Sequence, residues 1–520
     1  MDATTESSAR VKSQAAHGPG QPSASEADSR AIHTPPAPAG PAGAPGGPAE
    51  GAARHHPPHA APIRLLRSAV ASFFPSSMPR MSRRNYAMEL RAAFFLPFLL
   101  VVVDSTIVGV IVKNAYEGQV SPGLLNMAVA ILSASTAAAN IISFIWVRLS
   151  NGLDKIRFIN ALQVSMIALA VAIGFAPRSE AGLWAVVVAV VLGRVCWSGF
   201  ITIRSTIWGM NYGPHVRARV TGKLATVQVT MVAILGLLLG EAMNRWENAD
   251  RWFYPVGGAL SLVGVWSWSK MRLRGHRSLL TAERARTGDD APTFSPVGVW
   301  RVLKGDRLYA RFMLAMFLLG LGNLMIIPIT VIVVRDQFKM GYTGGIVINN
   351  SLPLVMMPFM IPLWARLLDR VHVVQFRAIH SWSFVAAAFL TAMAVQLHSE
   401  WLLYVSAALT GMGFGGGVLA WNLGHLDFAP KGKESQYMGV HATLNGVRGI
   451  LGPFMAVGLY QWLETTWPGQ NLGAISFWLC AVITLLGGIE FVRVARTLPK
   501  GGWRRAMPVE TAPPAKAAGS

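Results

Sequence analysis

The chain has 520 residues, of which 52% are hydrophobic and only 14% are charged, yet its formal net charge is +21. A positive charge of this size is typical of nucleic-acid-binding proteins, but a soluble domain contains about 25% charged residues. The composition therefore excludes a cytosolic enzyme and a nucleic-acid-binding module, and it indicates a membrane protein with several spans.

Residues 1–85 differ in composition from the rest of the chain. Residues 31–62 consist mostly of Ala, Pro, Gly and His, which cannot bury enough apolar surface to offset the entropy lost on ordering. We therefore predict a disordered cytoplasmic tail over residues 1–85. Within it, residues 63–74 (IRLLRSAVASFF) combine leucines, aromatics and two arginines, a composition that favours a short helix on the membrane surface.

From residue 90 onward, apolar stretches long enough to cross the hydrocarbon core follow one another, and a helical span takes roughly 20 residues. Short alternating strands, as in a membrane β-barrel, do not occur in the sequence. The predicted spans, α1 to α12 in chain order, are residues 90–112, 124–147, 157–176, 182–209, 220–243, 252–269, 308–334, 345–365, 376–396, 401–426, 436–462 and 472–493.

The fold class is therefore an all-α polytopic membrane protein with twelve transmembrane helices. The longest polar stretch between spans divides them into six and six. We predict a first six-helix half over residues 86–270, a basic linker over 271–307, a second six-helix half over 308–496, and a cytoplasmic tail over 497–520.

Basic residues are distributed unevenly between the loops. The loops that follow even-numbered helices carry most of the loop Lys and Arg residues, and the loops that follow odd-numbered helices carry few. Cytoplasmic loops are enriched in these residues. We therefore predict an integral protein of the inner or plasma membrane, with both termini and the linker in the cytoplasm.

The two predicted halves share short sequence patterns. The end of α2 reads Trp146-Val-Arg-Leu and the end of α8 reads Trp364-Ala-Arg-Leu. The start of α5 (GKLATVQ, from Gly222) matches the start of α11 (GVHATLN, from Gly439) at nearly the same offset. Two matches at one spacing indicate duplication of a six-helix unit.

This layout resembles the major facilitator superfamily, and several motifs are similar to those of its members. Residues 151–157 (NGLDKIR) resemble the superfamily's loop motif after α2, and residues 368–370 (LDR) are a weaker copy. Residues 103–110 of α1 (VDSTIVGV) are similar to the Asp-x-Thr-Ile-Val stretch of drug/proton antiporters. The resemblance implies two pseudo-symmetric bundles around a cavity lined by α1, α4, α7 and α10, with α2, α5, α8 and α11 beside them.

Charges near the bilayer centre are costly and need a partner or a hydrated cavity. We expect Asp104 of α1 to carry the coupling proton, and Arg194 of α4 and Arg448 of α11 to hold an anionic substrate through bidentate hydrogen bonds. An Asp104–Arg194 ion pair that only fixes α1 against α4 is the competing interpretation. The other candidate substrate-binding residues are Asn323, Gln228, Asn445 and Trp421.

Charged residues at the cytoplasmic helix ends are candidates for gating. Ion pairs could lock the halves in one state, whereas anchoring at the membrane surface explains the basic members equally well. His425 and Asp427, at the end of α10, could form a proton relay, although helix capping is the simpler interpretation. The candidates are Asp154, Arg148, Asp369, Arg366, His425 and Asp427.

The sequence favours a secondary active transporter that works by alternating access with a proton as coupling ion. The phosphate-binding motif of ATP-driven pumps does not occur in it. The alternatives are a non-transport membrane enzyme, an assembly factor or a sensor on a transporter-like fold. The expected partners are the lipid bilayer and a small-molecule substrate, an organic anion or a drug. We predict no nucleic acid, no cofactor and no metal, since Cys196 and Cys480 lie far apart in apolar stretches, and no oligomer is required.

Overall fold

The computed structural model describes residues 70–285, 296–430, 433–468 and 473–498. Most of the predicted N-terminal tail and its surface helix, the centre of the linker, and the predicted C-terminal tail beyond residue 498 lie outside the described residues. The first span begins with the helix Arg80–Phe95, ten residues before the predicted start of α1 and inside the segment assigned to the tail.

The described residues contain twelve helical spans in the predicted order, so the all-α polytopic fold class is confirmed. In the first half, α1 has three segments, Arg80–Phe95, Pro97–Val103 and Ser105–Ala115, and α2 has two, Pro122–Ile141 and Ser143–Leu149. Single helices form α3 to α6: Lys155–Gly174, Glu180–Asn211, Pro214–Arg245 and Asp250–Ser269.

The second half repeats this plan after two linker helices, His276–Ala285 and Pro296–Gly305. Its α8 has three segments, Tyr342–Ile346, the π-helical Val347–Ser351, and Leu352–Leu368. The remaining spans, α7 and α9 to α12, are Arg307–Asp336, Val373–Leu397, Glu400–Leu423, Glu434–Thr466 and Gly473–Arg496.

Nine helices of the described residues are long and apolar enough to cross a membrane, or ten if the bent first pair of α1 counts as one span. That pair bends by 43° at Leu96, just before Pro97, because a proline lacks the N–H that would continue the helix. The two spans outside this count, α6 and α11, carry several polar residues among their apolar ones.

The centre of α1 is interrupted a second time, at Asp104. This residue has an extended conformation (φ −69°, ψ 116°), and its carboxylate accepts hydrogen bonds from the backbone N–H groups of Thr106 and Ile107. It therefore caps the last segment of α1 as an N-cap aspartate does. The break places a carboxylate and a helix N-terminus in the middle of the span.

The two halves pack against each other through α2 with α11 and through α5 with α8. A methyl group on Gly449 of α11 would lie 2.3 Å from Cβ of Ala137 in α2, and one on Gly446 would lie 2.1 Å from the side chain of Ile141. Only glycine permits these close approaches, as in other membrane helix pairs with small residues at the contact.

We name the two ends of the helices by what lies there. The linker face is the end where Glu283 of the first linker helix contacts Lys155 and the backbone N–H of Gly152, both at 2.8 Å. The far face is the opposite end, where α1, α5, α7 and α11 finish and α2 and α8 begin.

Candidate functional site

A cavity of about 300 Å³ lies in the second half between α7, α8, α9, α10 and α11. Four of the six predicted substrate-binding residues line it: Asn323, Trp421, Asn445 and Arg448. The rest of its wall is mainly apolar, with Met316, Leu319, Gly320, Leu324, Met357, Phe384, Phe414, Gly417 and Val418, and it includes Arg377. A pocket with an apolar wall and a few convergent polar groups is the usual form of a small-molecule site.

Arg448 is held against the neighbouring helices by a defined set of contacts. Its Nη2 and Nε donate to Oδ1 of Asn445 at 2.8 and 3.2 Å, and its Nη1 donates to the carbonyl oxygen of Met316 in α7. The residue is 8% exposed. These contacts orient the guanidinium group, but its acceptors among the described residues are all neutral, so no described carboxylate compensates its charge.

A second arginine of the cavity, Arg377, was not among the predicted site residues, although it is the second residue of the predicted α9. The helix α9 begins at Val373, and Arg377 is 4% exposed inside it. Its Nη1 lies 3.2 Å from Nδ1 of His380, whose Nε2 lies 2.8 Å from the carbonyl oxygen of Gly413 in α10. The spacing Arg377-x-x-His380, one helical turn, was the available signal.

The cavity therefore has a strong positive charge. Two arginines are among its lining residues, and no carboxylate is among them in the part of the chain that the structure describes. A buried cation without an anionic partner is unfavourable by several kcal/mol. The arrangement favours a bound anion that would lie between the arginines and contact the apolar wall.

Gly320 of α7 makes room for this arrangement. A methyl group there would lie 2.1 Å from Cζ of Arg448. We expect Gly320→Ala to displace the guanidinium and to weaken anion binding by about tenfold, which corresponds to ~1.4 kcal/mol. The measurement is isothermal titration with an organic anion that the wild type binds. Gly439→Ala in α11 is the matched control, because nothing lies within 4 Å of a methyl group at that position; equal affinities in both variants would contradict the prediction.

Asp104 lies outside this cavity lining, at the contact between the two halves. Its Oδ1 accepts from the hydroxyl of Thr106 at 2.6 Å and from Nδ2 of Asn350 in α8 at 3.1 Å, in addition to the two backbone N–H groups that it caps. Its Oδ2 lies 3.4 Å from Nη2 of Arg194. Five donors from three helices thus surround one carboxylate.

The structure separates Arg194 and Gln228 from Arg448 and its neighbours. Neither is among the cavity residues, and Arg194 pairs with Asp104, as the competing interpretation holds. Gln228 of α5 accepts a hydrogen bond from Nη1 of Arg204 in α4 at 3.4 Å. The predicted anion site with one arginine from each half is therefore not assembled in this structure.

A further buried acid in the first half was also missed. Glu89 of α1 is 3% exposed and accepts hydrogen bonds from Nε1 of Trp208 at 2.5 Å and from the hydroxyl of Tyr212 at 2.7 Å. Arg204 stacks on the Trp208 ring, with Cζ 4.4 Å from the ring centroid. Glu89 lies one residue before the predicted start of α1, so it was outside the spans in which buried charges were sought.

The sequence model of the Major Facilitator Superfamily matches residues 93–453, which is most of the chain. The chain belongs to this superfamily. It is therefore a multi-pass membrane transporter for a small molecule, and not a membrane enzyme.

Solved structures of Major Facilitator Superfamily transporters share the fold. A point mutant of the nucleoside transporter NupG is 12% identical, with a TM-score of 0.61, over 79% of this chain and 99% of that one. A D-xylose-proton symporter is 13% identical, with a TM-score of 0.59, over 78% and 96%. A point mutant of a peptide transporter POT is 14% identical, with a TM-score of 0.59, over 78% and 94%. No curated protein sequence gives a significant match.

In this Major Facilitator Superfamily protein, polar contacts between the halves concentrate at the far face. Lys113 of α1 pairs with Asp336 of α7 at 2.9 Å, and Glu117 pairs with Arg335 at 2.6 Å. Asn244 of α5 also donates to the hydroxyl of Thr343 in α8 at 2.8 Å, and Gln461 of α11 to the carbonyl of Gly123 in α2 at 2.8 Å. These contacts hold the halves together at that end.

The predicted gating residues lie at the linker face and are not brought together as pairs. Arg148, Arg366 and Asp369 are exposed. Asp154 instead lies 3.7 Å from Nε2 of His276 and 4.0 Å from Nε of Arg157.

His425 and Asp427, the two gating candidates that follow α10, lie next to the N-terminus of α9. Asp427 accepts a hydrogen bond from the backbone N–H of Val373 at 2.9 Å, a contact that agrees with the helix-capping interpretation. His425 is buried beside it.

Proposed function

We propose that this transporter moves a small organic anion by alternating access and couples the movement to protons. The observation that carries the proposal is the pair of buried guanidinium groups, Arg377 and Arg448, in a cavity lined by no carboxylate among the described residues. An anion held between them would receive charge-assisted hydrogen bonds from both, and Asn323 and Asn445 would supply neutral ones.

The same cavity argues against a cationic drug, the alternative that the α1 motif raised. A cation would need a free carboxylate, and Asp104 is already paired with Arg194 at 3.4 Å. The aromatic and thioether groups of Phe384, Phe414 and Met357 suit the apolar part of an organic anion. A volume of about 300 Å³ is at the small end of the range for ligand pockets and suits a small organic anion.

Asp104 is the residue to which we assign proton coupling. It is the acid at the broken centre of α1, and its donors come from both halves. A carboxylate with this position changes its surroundings whenever the halves move apart. We place the linker face and both termini in the cytoplasm, because basic loop residues concentrate there, and the chain in an inner or plasma membrane.

The substrate class is tested with purified protein and two probes of matched size and opposite charge. We expect benzenesulfonate to raise the melting temperature of the protein. It is the first member of a panel of impermeant sulfonates, phosphonates and dicarboxylates. A ligand that binds only the folded state stabilises it in proportion to its occupancy. Benzyltrimethylammonium should leave it unchanged; stabilisation by the cation and by none of the anions would refute the anion proposal.

The far-face ion pairs give a separate prediction about alternating access. Lys113 is 2% exposed whereas the side chain of Arg335 is 29% exposed, and loss of one partner from a buried pair is far more costly than from an exposed pair. We expect Lys113→Met to open the far face strongly and Arg335→Met to open it weakly, measured as labelling of a cysteine introduced at Gln119. The double variant Lys113→Asp/Asp336→Lys should restore closure of the far face. Equal labelling of all variants would show that these ion pairs do not hold the far face closed.

A further inference from the structure

We infer that Asn350 of α8 positions the coupling carboxylate: it ties the charged form of Asp104 to the closed far face. The inference rests on the proposed role of Asp104 as proton carrier. It assigns Asn350 no contact with substrate, since Asn350 is not among the cavity residues.

Asn350 is joined to the first half by its amide nitrogen, which has two acceptors there. Nδ2 donates to Oδ1 of Asp104 at 3.1 Å and to Oγ1 of Thr106 at 2.9 Å. The Thr106 hydroxyl in turn donates to the same Asp104 oxygen at 2.6 Å. Asn350 is 5% exposed, so this closed ring of three side chains spans the contact between the halves in a buried position.

The backbone of α8 is shaped to deliver this side chain. Asn350 lies in the π-helical segment Val347–Ser351, and Pro353 stands in the first turn of the α-helical segment that follows. Proline has no N–H for the carbonyl four residues earlier, and π-helical turns occur often at functional sites. The next residue, Ser351, also crosses to the first half and donates to the carbonyl of Ala233 in α5 at 3.2 Å.

Few other charges act on Asp104. Arg194 of α4 is its ion-pair partner. The helices packed against α1 are uncharged over residues 122–147 of α2, 158–176 of α3, 224–240 of α5, 252–269 of α6, 312–334 of α7 and 340–365 of α8. On α1 itself, Glu89 bonds to Trp208 and Tyr212 and Lys113 pairs with Asp336, both several turns from Asp104. Arg194 travels with the first half, so Asn350 is the donor that leaves when the halves separate.

A hydrogen bond to a carboxylate is stronger than one to a neutral carboxylic acid. The closed far face, where Asn350 is in place, therefore favours the charged form of Asp104. By linkage, protonation of Asp104 favours opening of the far face. The coupling requires no movement of Arg194 and no direct contact between the proton and the substrate.

The test needs no substrate. Spin labels at Gln119 and Thr466, which are exposed at the far face on opposite halves, report the open fraction by pulsed distance measurements in a variant without native cysteines. We expect the open fraction of the wild type to be low in a mildly alkaline buffer and to rise in an acidic one. Asn350→Ala should raise the open-to-closed ratio about tenfold at the higher pH and little at the lower pH, which flattens the profile.

Asn349→Ala is the matched control, because Asn349 donates within its own helix to the carbonyl of Gly345 at 2.9 Å, and its profile should match the wild type. If Asn350→Ala does not fold, Asn350→Leu takes its place in the test, because leucine keeps the side-chain volume without the amide. An equal rise at both pH values, or a profile identical to that of Asn349→Ala, would overturn the inference alone. A full wild-type pH response in Asp104→Asn would instead overturn the proton-carrier assignment on which it rests.

Discussion

Arg448→Ala should weaken binding of the proposed anionic substrate by about 100-fold, or ~2.7 kcal/mol, and should abolish transport at ordinary substrate concentrations. The guanidinium group is the oriented cation of the cavity, fixed by Asn445 and the carbonyl of Met316. The measurement is anion uptake into proteoliposomes, together with titration calorimetry on the purified variant.

The stability of the same variant provides an independent check. Arg448 is a buried cation whose acceptors are neutral, so its removal relieves an uncompensated charge. We expect the empty Arg448→Ala protein to melt at the wild-type temperature or above it. Arg448→Lys, which keeps the charge without the planar fork, should bind with intermediate affinity. Wild-type uptake by Arg448→Ala would remove the cavity from consideration as the substrate site.

Asp104→Asn should uncouple transport from the proton gradient. Asparagine is a good N-cap residue, so the last segment of α1 should persist, while the carboxylate to which we assign proton exchange is lost. We expect the anion to equilibrate across the membrane without accumulation when a pH gradient is imposed, and we expect a pH indicator inside the vesicles to show no substrate-driven change.

This variant leaves Arg194 without its ion-pair partner, a loss that lowers stability in a buried setting. The double variant Asp104→Asn/Arg194→Gln removes both charges and serves as the matched control for folding. If it is stable and uncoupled, the proton role and the structural role of the pair are separated. Gradient-driven accumulation by either variant would assign the coupling to another acid, of which the buried Glu89 is the foremost candidate.

The length of the apolar stretches was sufficient to predict the twelve spans as helices, because a chain in hydrocarbon must satisfy its backbone hydrogen bonds within each helix. The same reasoning selected Asn323, Asn445, Trp421 and Arg448, since polar groups at mid-membrane must face protein or water. It failed for Arg377 and Glu89. Both lie at the predicted boundaries of spans, where a charge is compatible with the membrane surface and carries no signal of burial.

The sequence by itself therefore determined the fold class and the list of residues from which a site could be made. The tertiary structure decided how those residues are grouped: Arg448 with Arg377 in one half, and Asp104 with Arg194 and Asn350 between the halves. The physical reason is that burial of a single helix face is a local property, whereas pairing depends on the rotation and depth of neighbouring helices. The rotation and depth of the helices are set by contacts between them, such as the close approach of Gly320 to Arg448. The sequence of one helix does not specify such a contact.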